Sequence, residues 1–396
     1  MIKADSHFGE SLNVLFLVDR WVSGGVKKHI GDLCQGFSAK GVNCIIVGWL
    51  PKGEPPPEGI EFHFIPIYDD QGNKSIPGFF KSVVYVRKLL KNRTINILHL
   101  HSRYLTPIVA ASAKGLNCPT VYTAHNIFQD LRFLPWYPRN VICLNEVGKQ
   151  AFLKNRCLPR NLKIGVVPNG IDVPTCSINQ SLAKKPGVLE PQATDRPFSV
   201  TTRVGKRDSF LFMGRLEKWK GVDLILRALA EVKDHDITIE IAGSGPEEQA
   251  LHCLTQELGL GNRVRFLGWV ENPNHLLDKA TTLIVPSTGL EGFGYVVLEA
   301  FAREKPVIAS DLGVFDETVI EGVTGLRFKS SNYFSLAKVL LQAKESPGEL
   351  IDMGRNGFNL LTEKYTLDQM IEDTLKVYMA SLGARDLPST EHTESR

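Results

Sequence analysis

Residues 282–311 read TLIVPSTGLEGFGYVVLEAFAREKPVIASD, and two short apolar runs, TLIVPS and PVIAS, bracket a segment of different period. Runs of four to six apolar or small residues with β-branched members suit strands buried on both faces, whereas YVVLEAFAREK spaces its apolar positions as a helix does. Strand, glycine-rich turn, helix and strand in that order make a βαβ unit with a parallel sheet. Glu291 and Glu299 stand eight residues apart in this stretch. Gly292 and Gly294 favour a loop ahead of the helix, which leaves Glu291 in the loop and Glu299 in the helix. Even one continuous helix would hold the two carboxyls about 12 Å apart along its axis, too far to share a proton. A glycosidase pair, with its separation of about 5–9.5 Å, would be matched only by accident. Each carboxylate instead suits hydroxyls at a different end of one long ligand, with the loop amides and helix start at Gly294, Tyr295 and Val296 holding a phosphate between them. Read alone, Glu299 equally suits an ion pair on a solvated face.

The same alternation extends outward in both directions. Upstream, SFLFMG, ITIEIAG and VRFLG are strand runs followed by helical stretches, and earlier still LNVLFLVD, NCIIVGW, INILHLH, TVYTAH and VICLN repeat the pattern. Between the two sets, residues 176–208 are polar, punctuated by proline and without period, which reads as a linker or surface excursion. The expected organisation is an α/β chain with two Rossmann-like doubly wound domains, 1–175 and 209–365, facing a central cleft. A helix over 366–382, packing back on the N-terminal domain, and a disordered tail over 383–396 complete it. Open α/β sheets bind ligands at their carboxyl ends, so an extended ligand would bridge the two domains.

Composition agrees with this frame. The chain has 396 residues, 43% hydrophobic and 22% charged, more than one ordinary core holds. No apolar run approaches the roughly 18 residues of a membrane span. The opening MIKADSHFGE is polar and acidic where a signal peptide needs its apolar core, so export is not expected. Seven scattered cysteines without a Cys-x-x-Cys pair fit a reducing cytoplasm rather than a disulfide framework or zinc knuckle. The net charge of +3 conceals an asymmetry: residues 1–200 hold 24 basic against 14 acidic side chains, and residues 201–396 hold 22 against 29. The basic half is expected to make peripheral contact with anionic membrane carrying a lipid-linked acceptor, or the imbalance is drift in solvated faces.

The Glu-x7-Glu spacing with EGFG and LEAFAREKPVIASD resembles the donor-site signature of retaining glycosyltransferases, family 4, of the GT-B fold. FMGRLEKWKGVDLIL resembles that family's phosphate-binding element, NGID at 169–172 its interdomain turn, and RWVSGGVKKHI its N-terminal glycine loop. The resemblance covers nearly the whole chain. It implies a nucleotide-diphospho-sugar donor, with a UDP- or GDP-sugar the expected class, Glu299 on the ribose hydroxyls and Glu291 on the transferred sugar. Arg215 and Lys220, ordinary surface charges when read alone, are implied to contact the diphosphate. Gly24 and Gly25 would approach it from the other domain, and His125, at the end of PTVYTAH, looks like the family's active-site histidine beside the sugar. The acceptor is implied to be a saccharide or lipid-linked hydroxyl, in glycolipid or polysaccharide biosynthesis, with no nucleic acid, no required cofactor and no metal.

Other motifs carry less. GSGPEE at 243–248 imitates the start of a dinucleotide fingerprint, but Glu248 stands where the third glycine belongs. The Asp-His-Asp at 234–236 falls in a helix-to-strand turn and reads as solvated. His99 and His101 share one strand face, and no third ligand for a metal is evident. Lys27 or Lys28 stands where many relatives are acidic, and CLNE replaces a commoner Ser-Glu pair. Rival readings are an inactive nucleotide-sugar-binding regulator, separated by donor hydrolysis, and an epimerase or phosphorylase on the same architecture. A phosphorylase would show pyridoxal absorbance.

Overall fold

The structure is a computed structural model that describes residues 12–22, 24–52, 54–69, 72–125, 137–154, 158–159, 161–173, 208–233, 235–289 and 291–383. The chain forms two compact units, one of residues 1–170 with 367–396 and one of residues 171–366. The expected excursion at 176–208, all but its last residue, and the tail beyond 383 lie outside the described residues.

The first unit is a seven-stranded sheet of β1 (Asn13–Arg20), β2 (Asn43–Trp49), β3 (Glu61–Phe64), β4 (Ile97–Leu100), β5 (Thr120–Ala124), β6 (Asn140–Cys143) and β7 (Lys163–Val166). Their order is β3-β2-β1-β4-β5-β6-β7, and every pairing is parallel. Helices α1 (Gly25–Ala39), α2 (Ile76–Asn92), α3 (Thr106–Ala113) and α4 (Glu146–Leu153) provide the crossovers. β1 shows why a parallel strand reads as an unbroken apolar run. Val14, Phe16 and Val18 point to one core with Ile30, Leu33 and Phe37 of α1, while Leu15 and Leu17 point to the other with Val86, Ile108 and Val109. Ser75 begins α2 by accepting the Gly78 amide at 3.0 Å, with Pro77 placed in the first turn where no amide is needed.

The second unit is a six-stranded parallel sheet in the order β10-β9-β8-β11-β12-β13. Its strands are β8 (Asp208–Met213), β9 (Ile237–Ala242), β10 (Val264–Gly268), β11 (Thr282–Val285), β12 (Val307–Ser310) and β13 (Gly325–Phe328). Helices α5 (Val222–Glu231), α6 (Glu248–Glu257), α7 (Asn274–Lys279), α8 (Tyr295–Phe301), α9 (Tyr333–Glu345) and α10 (Pro347–Lys364) surround it. Phe210, Phe212, Ile239 and Ile241 bury one sheet face against Ile225 and Leu229 of α5 and Leu336 and Leu340 of α9. The chain then returns to the first unit. α11 (Leu367–Ser381) sends Met370, Ile371 and Tyr378 into the core of β1 and α1. Gly36 of α1 is needed for that packing, since a Cβ there would lie 1.9 Å from Ile371 Cδ1. Both units are thus Rossmann-like and doubly wound. Among the described residues no helix is long and apolar enough to cross a membrane.

Candidate active site

In the second unit, the loop expected from Gly292 and Gly294 is present between β11 and α8. Gly294 caps α8 at φ 87°, in the left-handed region that favours glycine, and a Cβ there would crowd Phe315 Cε1 at 2.8 Å. Glu291 is therefore a loop residue, while Glu299 occupies the second turn of α8 and is half-buried. Tyr295 and Val296 form the helix's first turn.

Glu291 does not stand alone. Lys220 Nζ lies 2.6 Å from its Oε2, and Ser287 Oγ donates to the same oxygen at 3.1 Å. The Glu291 side chain is 10% exposed, so this carboxylate is held by a cation and a hydroxyl in a largely dry setting. The Lys220 ammonium also sits 4.3 Å from the centroid of the Trp219 ring. What brings 220 and 291 together is backbone. Trp219 O accepts Thr288 N at 2.8 Å, and Gly221, left-handed at φ 70°, would place a Cβ 2.2 Å from Pro286 O. Only glycine lets these loops touch there.

Arg215 is placed differently. Its side chain is 59% exposed and its Nε lies 2.9 Å from Glu217 Oε1, while Trp219 Nε1 donates to Glu217 Oε2 at 2.7 Å. Glu217 thus links Arg215 to the Lys220 loop. Behind that loop stands GSGPEE. Gly243 and Gly245 bring their backbone so close to the β8 exit that added Cβ atoms would lie 1.8 Å from Gly214 O and 2.4 Å from Leu216 O. Leu216 N donates to Ser244 O at 2.9 Å, and Glu247 N to Leu216 O at 3.0 Å. These glycines, which sequence reasoning set aside as a nucleotide decoy, buttress the Arg215–Lys220 segment. His235 and Asp236 lie between α5 and β9, while Asp234 lies outside the described residues.

The first unit carries Gly24, Gly25 and His125. Gly24, at φ 145°, precedes α1 with nothing within 4 Å of a Cβ, and Gly25 starts the helix. His125 follows β5 and joins a histidine cluster. Its Nε2 is 2.8 Å from His101 Nδ1, and its ring centroid is 4.8 Å from that of His29. His29 Nδ1 donates to Asn169 Oδ1 at 2.8 Å. The Nε2 atoms of His29 and His101 are buried and have no hydrogen-bond partner among the described residues. Burial holds His29 at a pKa of about 4, against the pull of its Asn169 bond. Burial first, then neighbouring imidazoles, holds His99, His101 and His125 well below the ordinary range, so the cluster is neutral near pH 7.

His99 and His101 gain no common third ligand among the described residues, but a different trio of histidines comes together. His99 is engaged on both nitrogens, by Tyr378 Oη at 2.6 Å and Thr123 Oγ1 at 2.7 Å, but His29, His101 and His125 bring donor atoms within 4.8 Å of one another. A tetrahedral zinc with bonds of about 2.0–2.1 Å needs them closer, about 3.3 Å apart. Sequence reasoning missed His29, Ser287 and Glu217. His29 had a signal, since it lies four residues beyond Gly25 on the buried face of α1.

A chain with two Rossmann-like domains, one bearing a glycine-shaped loop with a lysine-glutamate pair at the carboxyl end of its sheet, has the make-up of a GT-B glycosyltransferase. The Glycosyltransferase Family 4 model matches residues 23–174 and the Glycosyl transferases group 1 model residues 195–360, and the chain belongs to this family. It is an enzyme of the hexosyltransferase type. It is similar to an uncharacterized glycosyltransferase of Methanocaldococcus jannaschii, 26% identical over 91% of this chain and 95% of that one. It is also similar to the phosphatidyl-myo-inositol mannosyltransferase of Mycobacterium leprae, 27% identical over 81% of this chain and 83% of that one. Among solved structures, Anabaena HepE in complex with UDP and glucose shares the fold, with TM-score 0.73, 18% identity, and coverage of 93% of this chain and 100% of that one.

Proposed function

We propose that the chain is a retaining, metal-independent glycosyltransferase that moves a sugar from a UDP- or GDP-sugar to an acceptor hydroxyl, the second unit binding the donor. The observation that carries this reading is the Lys220–Glu291–Ser287 constellation at the β11 carboxyl end, tied by backbone to the Arg215–Lys220 segment. Glu291 would meet the transferred sugar, Lys220 and Arg215 the diphosphate, the amides of Gly294, Tyr295 and Val296 a phosphate, and Glu299 the ribose hydroxyls. Gly24, Gly25 and His125 would serve the first unit's share of the reaction. The chemistry is same-face substitution. The acceptor oxygen bonds to the anomeric carbon as the bond to the diphosphate oxygen breaks, and the departing diphosphate takes the acceptor proton. Positioned cations and amides stabilise the charge that develops on the leaving group. The mycobacterial relative's name supports a lipid-linked acceptor, and the basic first half supports contact with an anionic membrane.

A thermal-shift panel of UDP, GDP, ADP and their sugars tests the donor. A ligand at 100 times its dissociation constant adds about 2.7 kcal/mol of stability. The expected result is a clear shift with UDP or GDP and their sugars. No shift with any member would defeat the reading.

A further inference from the structure

α2 needs only one apolar stripe to pack, and it has two. Its inward stripe is made of small or branched residues, Gly78, Ser82 and Val86, all buried, Gly78 against the Pro66 and Ile67 carbonyls and Val86 in the core, with Phe79, Val83, Leu89 and Leu90 partly buried beside them. On the opposite side Ile76, Phe80 and Val84 repeat at i, i+4 and i+8 and are 78%, 64% and 67% exposed. Such a spacing sets three large side chains in a row along about 12 Å of helix. Scattered exposed apolar residues are ordinary, whereas an aligned ridge on the outward face of an amphipathic helix marks a surface meant to be covered.

The charges around the ridge say what covers it. α2 carries Lys81, Arg87, Lys88 and Lys91 and no acidic residue. Arg87 is spent on the carbonyls of Ser112 and Lys114, at 2.9 and 2.8 Å. Lys81, Lys88 and Lys91 are exposed and enter no ion pair among the described residues. Lys88 continues the row begun by Ile76, Phe80 and Val84, and Lys81 stands beside it. At the helix's start, Lys74 lies 4.6 Å from the ring centroid of the exposed Tyr104. An apolar row bordered by lysines that enter no ion pair among the described residues, with an aromatic at one end beside Lys74, itself paired with Asp19 at 3.1 Å, suits a helix that lies in a bilayer interface: apolar side chains enter the acyl boundary and lysines meet lipid phosphates.

We infer that the outward face of α2, built on Ile76, Phe80 and Val84 with Lys81, Lys88 and Lys91, is a docking surface for an anionic lipid bilayer. The inference deepens the membrane-contact part of the proposed function and rests on it, but it does not depend on which sugar is transferred. Docking by this face would hold the first unit at the headgroup level of the membrane.

The test uses the full chain in co-sedimentation with vesicles of phosphatidylcholine alone and of phosphatidylcholine with phosphatidylglycerol. Wild type is expected on the anionic vesicles only, with binding that weakens as salt rises. The triple variant Ile76→Ser, Phe80→Ser, Val84→Ser is expected to lose about tenfold or more of that partitioning, and its exposed positions leave folding intact, checked by an unchanged melting temperature. Lys81→Gln, Lys88→Gln, Lys91→Gln is expected to weaken binding and flatten its salt dependence. Phe80→Trp should shift its fluorescence to the blue on anionic vesicles. Wild type ignoring anionic vesicles at low salt, or an apolar triple variant that binds as wild type does, overturns the inference. So does a dimer that the triple variant dissolves, since the ridge would then serve a second copy. Donor-induced thermal shift, measured without vesicles, separates the two readings: vesicle binding without donor binding sinks the transferase proposal and leaves this one standing.

Discussion

Replacing Lys220 by alanine tests the site at the point where stability and chemistry meet. The ammonium sits 2.6 Å from Glu291 Oε2, and the two side chains are 19% and 10% exposed. Breaking a fully buried pair costs about 3–5 kcal/mol and an exposed one about 0–1 kcal/mol, so a largely sheltered pair falls between, at about 2 kcal/mol. The loss arises from the stranded Glu291 carboxylate, which keeps the Ser287 hydroxyl but no cation. In a domain of this size about 2 kcal/mol lowers the melting temperature by roughly 4–8 °C. Lys220→Ala with Glu291→Ala removes the stranded charge as well, so the double variant should be more stable than the two single losses added together, with a coupling of about 2 kcal/mol. Turnover with saturating donor should fall on the order of a hundredfold or more, as when one preorganised donor to a developing negative charge is lost. The assays are thermal melting of the four corners of the cycle and initial rates of sugar transfer. A single variant that melts with the wild type and turns over within about threefold of it refutes both the pair and its role.

Arg215→Ala should separate the two effects: at 59% exposed its loss should leave stability within about 0.5 kcal/mol while turnover falls comparably, and a large drop in melting temperature would contradict that placement. Glu299→Ala should weaken donor binding roughly ten- to a hundredfold, the worth of charge-assisted bonds to ribose hydroxyls, as measured by calorimetry on the folded variant; unchanged affinity removes Glu299 from the donor site. Sugar transfer should survive excess EDTA, and abolition with rescue by manganese would mean that the reaction runs through a metal. The histidine cluster gives a pH dependence. These imidazoles are harder to protonate when folded than at the ordinary value of 6.5, so the unfolded chain takes up protons first, and stability that is full above about pH 6.5 falls toward His29's folded value of about 4. His29 alone contributes about 3 kcal/mol to that fall, and a melting temperature flat from pH 7 to 4 would refute the buried, neutral cluster.

Parallel strands buried on both faces leave unbroken apolar runs, so LNVLFLVD and TLIVPS were legible without a structure, as was the loop that Gly292 and Gly294 impose ahead of α8. Contacts far apart in sequence were not legible. Nothing local in EKWKG or LEGFG says that Lys220 meets Glu291, because the meeting depends on Gly221 passing Pro286 O and on Trp219 O accepting Thr288 N. The GSG of 243–245 shows the same gap from the other side. Its glycines were weighed against a dinucleotide motif, whereas their role is set by Gly214 O and Leu216 O, carbonyls at the exit of the neighbouring strand β8. His29 escaped notice for a related reason: a helix histidine and two strand-end histidines share a site only once α1 is packed on β1 and β4.

The pairing of Lys220 with Glu291 also bears on how a site built this way would accept a doubly charged ligand. A lone lysine and a lone glutamate would respond to a diphosphate in opposite senses, one attracting and one repelling it. Joined at 2.6 Å they are nearly neutral together, and the loop keeps the glutamate without a net repulsive field. The ammonium has three donors, of which Glu291 Oε2 occupies one, so a phosphate oxygen can be bound without breaking the pair. Among the described residues both side-chain bonds to Glu291 fall on Oε2, and Oε1 is the oxygen that could accept from a sugar hydroxyl. On this reading Lys220 and Glu291 are one element spanning the bond to be broken, phosphate on one side and sugar on the other. Loss of either would then move the other, which is why the two single variants should resemble each other in turnover more than their separate charges suggest.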